Sequence, residues 1–238
     1  MLIENLIFCL IIFIAGLVRG VSGFALGLLG TSLLINLIDF HTAIALIALL
    51  QPIATSILFF YYRKSCNFQE VIPIAICSFI AVPFGVITSD RIESQIVLYC
   101  LGSLIIFYVA YCWFTPRLPE VKASGWGYLA GLTSGFFSGA YNSCGPPLIM
   151  YANSCQWNPE EFKSNIQGVR ICSMVLAVVA HGLNHDLTSE VWKLFLLGVP
   201  SVCLGIGAGI ILSKYLNPVI FQKVVLILLL LTGVKLFF

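Results

Sequence analysis

The chain has 238 residues, 60% of them hydrophobic and only 9% charged, with a formal net charge of +2. Soluble domains carry about 25% charged residues, so this composition cannot cover a water-facing surface and excludes a soluble globular protein. The basic residues form no cluster, which excludes a nucleic-acid-binding face.

Apolar blocks follow one another at about 2–38, 42–62, 71–88, 95–114, 125–152, 165–184, 190–213 and 218–238, separated by short polar loops. A membrane-crossing helix needs roughly 20 apolar residues. The predicted fold is therefore all-α: a polytopic transmembrane bundle of eight hydrophobic blocks, forming one membrane domain over 1–238 with nothing appended. The start, Met-Leu-Ile-Glu, has Glu4 as its only early charge and lacks the basic opening of a secretory signal.

The first and fifth blocks differ from the others because glycines interrupt both near the middle. They also resemble each other. At an offset of 115 positions Gly16 falls on Gly131, Gly20 on Gly135 and Gly30 on Gly145, with Leu17 on Leu132 and Ala25 on Ala140. Three further apolar segments follow each. The pattern predicts two repeats, 1–115 and 125–238. Interrupted segments at corresponding places in two repeats are the best sequence pointer to a transporter's binding site.

Charge orients the repeats. If blocks one and five are hairpins that return to their starting side, one side gathers Arg63, Lys64, Arg117, Lys122, Lys163, Lys214 and Lys223. The other gathers Glu4, Asp39, Asp90, Glu93, Asp186 and Glu190, with Arg91, Lys193 and Lys235. This arrangement follows the positive-inside tendency. It predicts inverted repeats of five segments each, hairpin legs of about 15–17 residues, short enough to be re-entrant, and both termini outside.

A break in an intramembrane helix exposes backbone donors and acceptors that only protein or a water-filled cavity can satisfy. Helix N-termini there favour an anion. The run Gly139-Ala-Tyr-Asn-Ser-Cys-Gly-Pro-Pro147 supplies such a break, with side-chain donors at Asn142 and Ser143. The two breaks are expected to face each other at mid-depth. By contrast, the spacings Gly16/Gly20, Gly131/Gly135 and Gly205/Gly209 read as helix-packing contacts.

Arg19 and Arg170 lie inside apolar blocks, where charge is costly and faces a cavity or a partner. A buried guanidinium can hold an oxyanion through two parallel hydrogen bonds. Gln167 precedes Arg170. In the repeat, Arg19 corresponds to Ser134, and Gln51 corresponds to Arg170 at an offset of 119. The predicted substrate-binding set is Arg19, Ser22, Gln51, Asn142, Ser143, Cys144, Gly145, Gln167 and Arg170.

Most of the nine cysteines sit in apolar runs without Cys-x-x-Cys spacing and read as small apolar residues. Cys144, in the glycine-proline break, stands apart. His181 and His185 have metal-ligand spacing, but a solvated helix end is expected rather than a metal site, and His41 reads as solvated too. A membrane-embedded hydrolase using Ser138 or Ser143 with His181 is the alternative from another class. No Gly-x-Ser-x-Gly elbow or zinc motif supports it.

Glycine-rich breaks heading two halves, the second ending Gly-Ala-Tyr-Asn-Ser-Cys-Gly-Pro-Pro-Leu, resemble the TauE/SafE sulfite exporter family. The first break, Gly23-Phe-Ala-Leu-Gly-Leu-Leu-Gly30, lacks a double glycine, and Cys144 stands where the family often has glycine. The resemblance implies a secondary transporter of sulfite, organosulfonates or related sulfur-containing anions in the bacterial inner membrane. It implies no cofactor and no ATPase, and the sequence has no P-loop. The expected partners are a small anionic substrate and the lipid bilayer, with a homodimer left open. The acidic residues sit in loops or at block ends, so none reads as a proton carrier, and uniport or anion exchange is expected.

Overall fold

The computed structural model describes residues 2–91, 94–114, 124–141 and 145–215, with scattered positions between 223 and 237. Every regular element among them is helical: α1 (Leu2–Ser22), α2 (Leu26–Leu34), α3 (Phe40–Tyr62), α4 (Phe68–Arg91), α5 (Ser94–Phe114), α6 (Ser124–Tyr141), α7 (Gly145–Ser154), α8 (Pro159–Leu183) and α9 (Ser189–Leu212). A short 3-10 turn, Arg63–Ser65, closes α3. Five described stretches are long and apolar enough to cross a bilayer: Ile3–Ser22, Phe40–Ser65, Phe68–Thr88, Pro159–Leu183 and Ser189–Leu212. Most of the eighth predicted block lies outside the described residues.

The first block is a hairpin with unequal legs. A Cβ placed on Gly30 of α2 would stand 3.9 Å from the Ala15 Cβ of α1, so α2 doubles back along α1. The fifth block does the same, because Gly127 near the start of α6 lies beside the Tyr151 ring of α7. The legs are not the equal 15–17-residue pair expected. α1 has 21 residues and α2 only 9; α6 has 18 and α7 has 10. At 1.5 Å per residue, α2 covers about 13 Å, less than half of a hydrocarbon core of about 30 Å. The short legs are re-entrant.

Polar chemistry sets helix starts that apolarity alone misses. The sixth block reads as beginning at 165, but α8 begins at Pro159. The Asn158 side chain accepts from the backbone N–H groups of Glu160 and Glu161, and Glu161 answers on the Asn158 N–H. This reciprocal cap satisfies orphan donors, and proline suits the first turn. Asp39 caps α3 without a reciprocal partner, its carboxylate accepting from the His41 and Thr42 N–H groups.

The glycine spacings serve packing, as expected. Along the α1–α9 seam, a Cβ on Gly20 would meet the Ile206 carbonyl at 2.6 Å, and one on Gly209 would meet the Leu17 carbonyl at 2.3 Å. Along the α4–α6 seam, Gly135 sits on the Ser78 carbonyl and Gly85 on the Phe136 carbonyl, each at 2.0 Å from an added Cβ. Small residues let backbones approach where lipid provides no hydrophobic drive for helices to associate. α3 and α8 pack on each other between these seams. The outward side of α4 carries exposed Ile72, Ile76, Ile80 and Phe84, a stripe suited to lipid.

Lysines and an arginine gather at one end of the bundle, the basic end, beside Glu70, Glu160 and Glu161. Lys163 Nζ donates to the Tyr62 hydroxyl at 3.3 Å and lies over its ring, Lys214 lies over the Tyr61 ring, and Arg63 and Lys64 occupy the adjoining turn. Lys214 is held above the usual lysine range by its hydrogen bond and charge interaction with Tyr61. The opposite ends of α3, α8 and α9 carry Asp39, Asp186 and Glu190.

Candidate anion-binding site

α3 and α8 are apolar over most of their length, so a polar side chain at mid-helix must find partners inside the bundle. Gln51 stands midway along α3, Arg170 midway along α8, and Arg19 one turn before the end of α1. All three are buried: Arg19 is 0% exposed, Arg170 1% and Gln51 2%.

They converge. Arg19 Nη1 donates to Gln51 Oε1, and Arg170 Nη2 donates to the same oxygen at 3.0 Å. Arg19 Nη2 also donates to Thr55 Oγ1 at 2.5 Å and to Gln167 Oε1 at 2.9 Å. Gln167 Nε2 in turn donates to the Gly23 carbonyl at 2.6 Å. Gly23 has φ +89°, a conformation glycine adopts at little cost. The first break thus places its carbonyl on the amide that orients Arg19. Pro52, next to Gln51, removes one backbone donor from α3 at the level of the site.

The hydrogen bonds described here end on neutral acceptors, while the donors carry two positive charges. Two guanidinium groups bonded to one oxygen lie at most about 6 Å apart. At an effective dielectric near 20 their repulsion is roughly 3 kcal/mol. An oxyanion at this position reverses the sign, because both forks then face negative charge. Arg19 and Gln167 are fully buried, so the cluster is closed to water in this conformation.

Four predicted residues therefore meet: Arg19, Gln51, Gln167 and Arg170. Thr55 joins them and was missed. Its signal was present, since it follows Gln51 by one helical turn on the same face of α3. Ser22 is not brought into the cluster by a described hydrogen bond. Its hydroxyl accepts from the Phe24 N–H at 3.4 Å, shaping the break. Gly145 is the first residue of α7, so a helix does begin there. Asn142, Ser143 and Cys144 lie outside the described residues. Ser134, the repeat partner of Arg19, is buried on α6 at 1% exposure, and its hydroxyl has no hydrogen-bond partner among the described residues.

Gly23 packs beside Lys163 and Gln167 of α8. α6 finishes with Gly139 against Val82 and Val86 of α4. One expectation is corrected, the one for His181. His185 is exposed and takes a positive φ of 61° in the turn, and His41 is exposed as expected. His181 is instead 3% exposed, with Nδ1 2.8 Å from Asp186 Oδ2. The connection after α8 folds back over the helix end and covers it.

No curated protein and no solved structure matched the chain. The family described as Sulfite exporter TauE/SafE matches residues 8–236. A multi-pass membrane bundle agrees with that match, which spans nearly the whole sequence: the chain belongs to the TauE/SafE sulfite exporter family, a family of membrane transporters.

Proposed function

We propose that the protein is a secondary transporter of a small sulfur-containing anion, sulfite or an organosulfonate, in the bacterial inner membrane. The observation that carries this reading is the convergence of Arg19 and Arg170 on Gln51 Oε1. The substrate displaces the amide oxygen and takes both guanidinium groups, with Thr55 and Gln167 as neighbouring polar groups. Asn142, Ser143, Cys144 and Gly145 belong to the same proposal as donors from the second break.

Two inverted repeats, 1–115 and 125–238, account for the pairing of elements. An exchange of α1 with α6 and of α4 with α9 turns the α1–α9 seam into the α4–α6 seam, and both seams are glycine-lined. Rocking of these halves gives alternating access. The basic end faces the cytoplasm under the positive-inside tendency. The membrane potential then drives anions outward without a pump.

The hydrolase alternative gains no support. His181 engages Asp186, and no described hydrogen bond joins it to Ser138. The test is sulfite flux into proteoliposomes. Wild type is expected to carry sulfite down its gradient, and Arg19→Ala and Arg170→Ala to lose the flux. Unchanged flux in both variants overturns the site.

A further inference from the structure

His181 is the buried titratable group that the anion site leaves unused. Its Nδ1 is engaged by Asp186, and its Nε2 is fully buried without a hydrogen-bond partner among the described residues. Leaving a buried polar atom unsatisfied is costly, and histidine–carboxylate pairs inside membrane bundles mark proton paths. Asp186 is partly open, with its side chain 23% exposed, so the carboxylate that holds Nδ1 faces water while Nε2 is sealed.

The placement is specific. Ala177 of α8 packs with Val82 and Val86 of α4, the residues against which α6 ends at Gly139. His181 lies one turn further along α8, at the level where the chain leaves α6 for the second break. The last turn of α4 carries Asp90 and Arg91 in sequence, and among the described side chains the charged surroundings of His181 are few. Asp186 touches it. His185 lies exposed in the same connection, and Glu190 and Lys193 lie exposed at the start of α9. On α3, Asp39 and His41 lie exposed at the same end. α4 presents Val82 and Val86 at this level, and α6 presents Ser138.

We propose that His181, held by Asp186, is a proton-binding site that makes the protein an anion–proton symporter. This rests on the transporter reading above and replaces the expectation of uniport or anion exchange. The imidazole Nε2 lone pair accepts a proton from water in the orientation of the carrier that loads the anion. The resulting imidazolium keeps its Nδ1–H on the Asp186 carboxylate. In the other orientation of the carrier Nε2 returns the proton to water, so protons move with the anion. Protonation changes the pair from net negative to neutral. His181 lies about three turns beyond Arg170 on α8, roughly 16 Å. Across that distance, at an effective dielectric near 20, the added charge strengthens anion binding roughly fivefold. Linkage is reciprocal, so a bound anion strengthens proton binding equally. Both ligands therefore load together, which gives symport rather than antiport.

The test uses proteoliposomes holding a pH-sensitive dye, with sulfite as the transported probe. Comparison with His181→Gln in identical vesicles cancels protons carried by sulfite's own ionisation. Wild type is expected to carry sulfite faster when the sulfite-donating side is made more acid, and to move protons with it. His181→Gln is expected to keep sulfite flux while losing both effects. Asp186→Asn weakens the hold on the proton, so its pH response shifts toward acid. The same pH response and proton movement in wild type and His181→Gln, with sulfite flowing in both, overturns the coupling alone. Absence of sulfite flux in wild type overturns the transporter reading and the coupling together.

Discussion

Arg170 donates to Gln51 Oε1 across 3.0 Å, tying the middle of α8 to the middle of α3. Under the repeat proposed here these two positions are equivalent, and equivalent residues touch only near the axis that relates the halves. The axis then runs through the anion site.

Gln51→Glu places a carboxylate where the anion is proposed to bind. A hydrogen bond to a charged group contributes about 1.5–3 kcal/mol, against about 1 kcal/mol for a neutral one. The variant is expected to unfold at a higher temperature than wild type in detergent and to lose at least about tenfold of its sulfite flux. Stabilisation without loss of transport removes Gln51 from the site.

Arg19→Lys keeps the charge and removes the fork. Arg19 uses Nη1 and Nη2 on three different acceptors, and an ammonium cannot reproduce that planar spread. Sulfite flux in proteoliposomes should fall about tenfold, a loss of roughly 1.4 kcal/mol in transition-state terms. Full activity would show that charge alone suffices.

Glycines at the two seams should be intolerant, while others are free. A Cβ at Gly135 would stand 2.0 Å from the Ser78 carbonyl, whereas one at Gly207 meets nothing within 4 Å. Gly135→Ala should cost about 1–3 kcal/mol through overpacking and lower the detergent unfolding temperature. Gly207→Ala serves as the matched control and should leave it unchanged.

Cys155 offers a test of sidedness and of pH. It lies in the turn between α7 and α8, near the basic end, and burial holds its thiol above the ordinary range. A raised thiol leaves less of the reactive thiolate at neutral pH. Labelling by a membrane-impermeant maleimide should therefore be slow near neutrality and accelerate as pH rises. In a variant retaining only this cysteine, it should occur from the cytoplasmic side. Labelling from the outside alone reverses the proposed orientation.

The arginine cluster was legible in the sequence because charge inside an apolar block has few reasons to exist. Arg19 and Arg170 stood out for that reason, and the repeat offset drew in Gln51. Thr55 was passed over because threonine is common in apolar helices and carries no charge, although its spacing from Gln51 put it on the same face. His181 was misread because its helix ends in polar residues, and a polar terminus looks solvated. Only the three-dimensional path of the Asn184–Thr188 connection shows that Asp186 returns to cover it. The unequal hairpin legs were equally hidden. Glycines mark where a chain can turn, but the depth of a return depends on what receives it. For α2 that is the packed surface of α1 and α3, where a Cβ on Gly30 would stand 2.7 Å from the Ile47 side chain.

The shortness of α2 limits how the carrier can move. Of its nine residues all but Leu33 are buried, and its last carbonyls lie at bilayer depth, satisfied partly by the turn at 35–38. Lipid can satisfy none of those groups, at a cost of several kcal/mol each. No stage of the cycle can slide this segment out to the hydrocarbon. Under the rocking proposed above, it travels as cargo of the helices that wrap it, and the sliding surface lies elsewhere, at the α3–α8 contact.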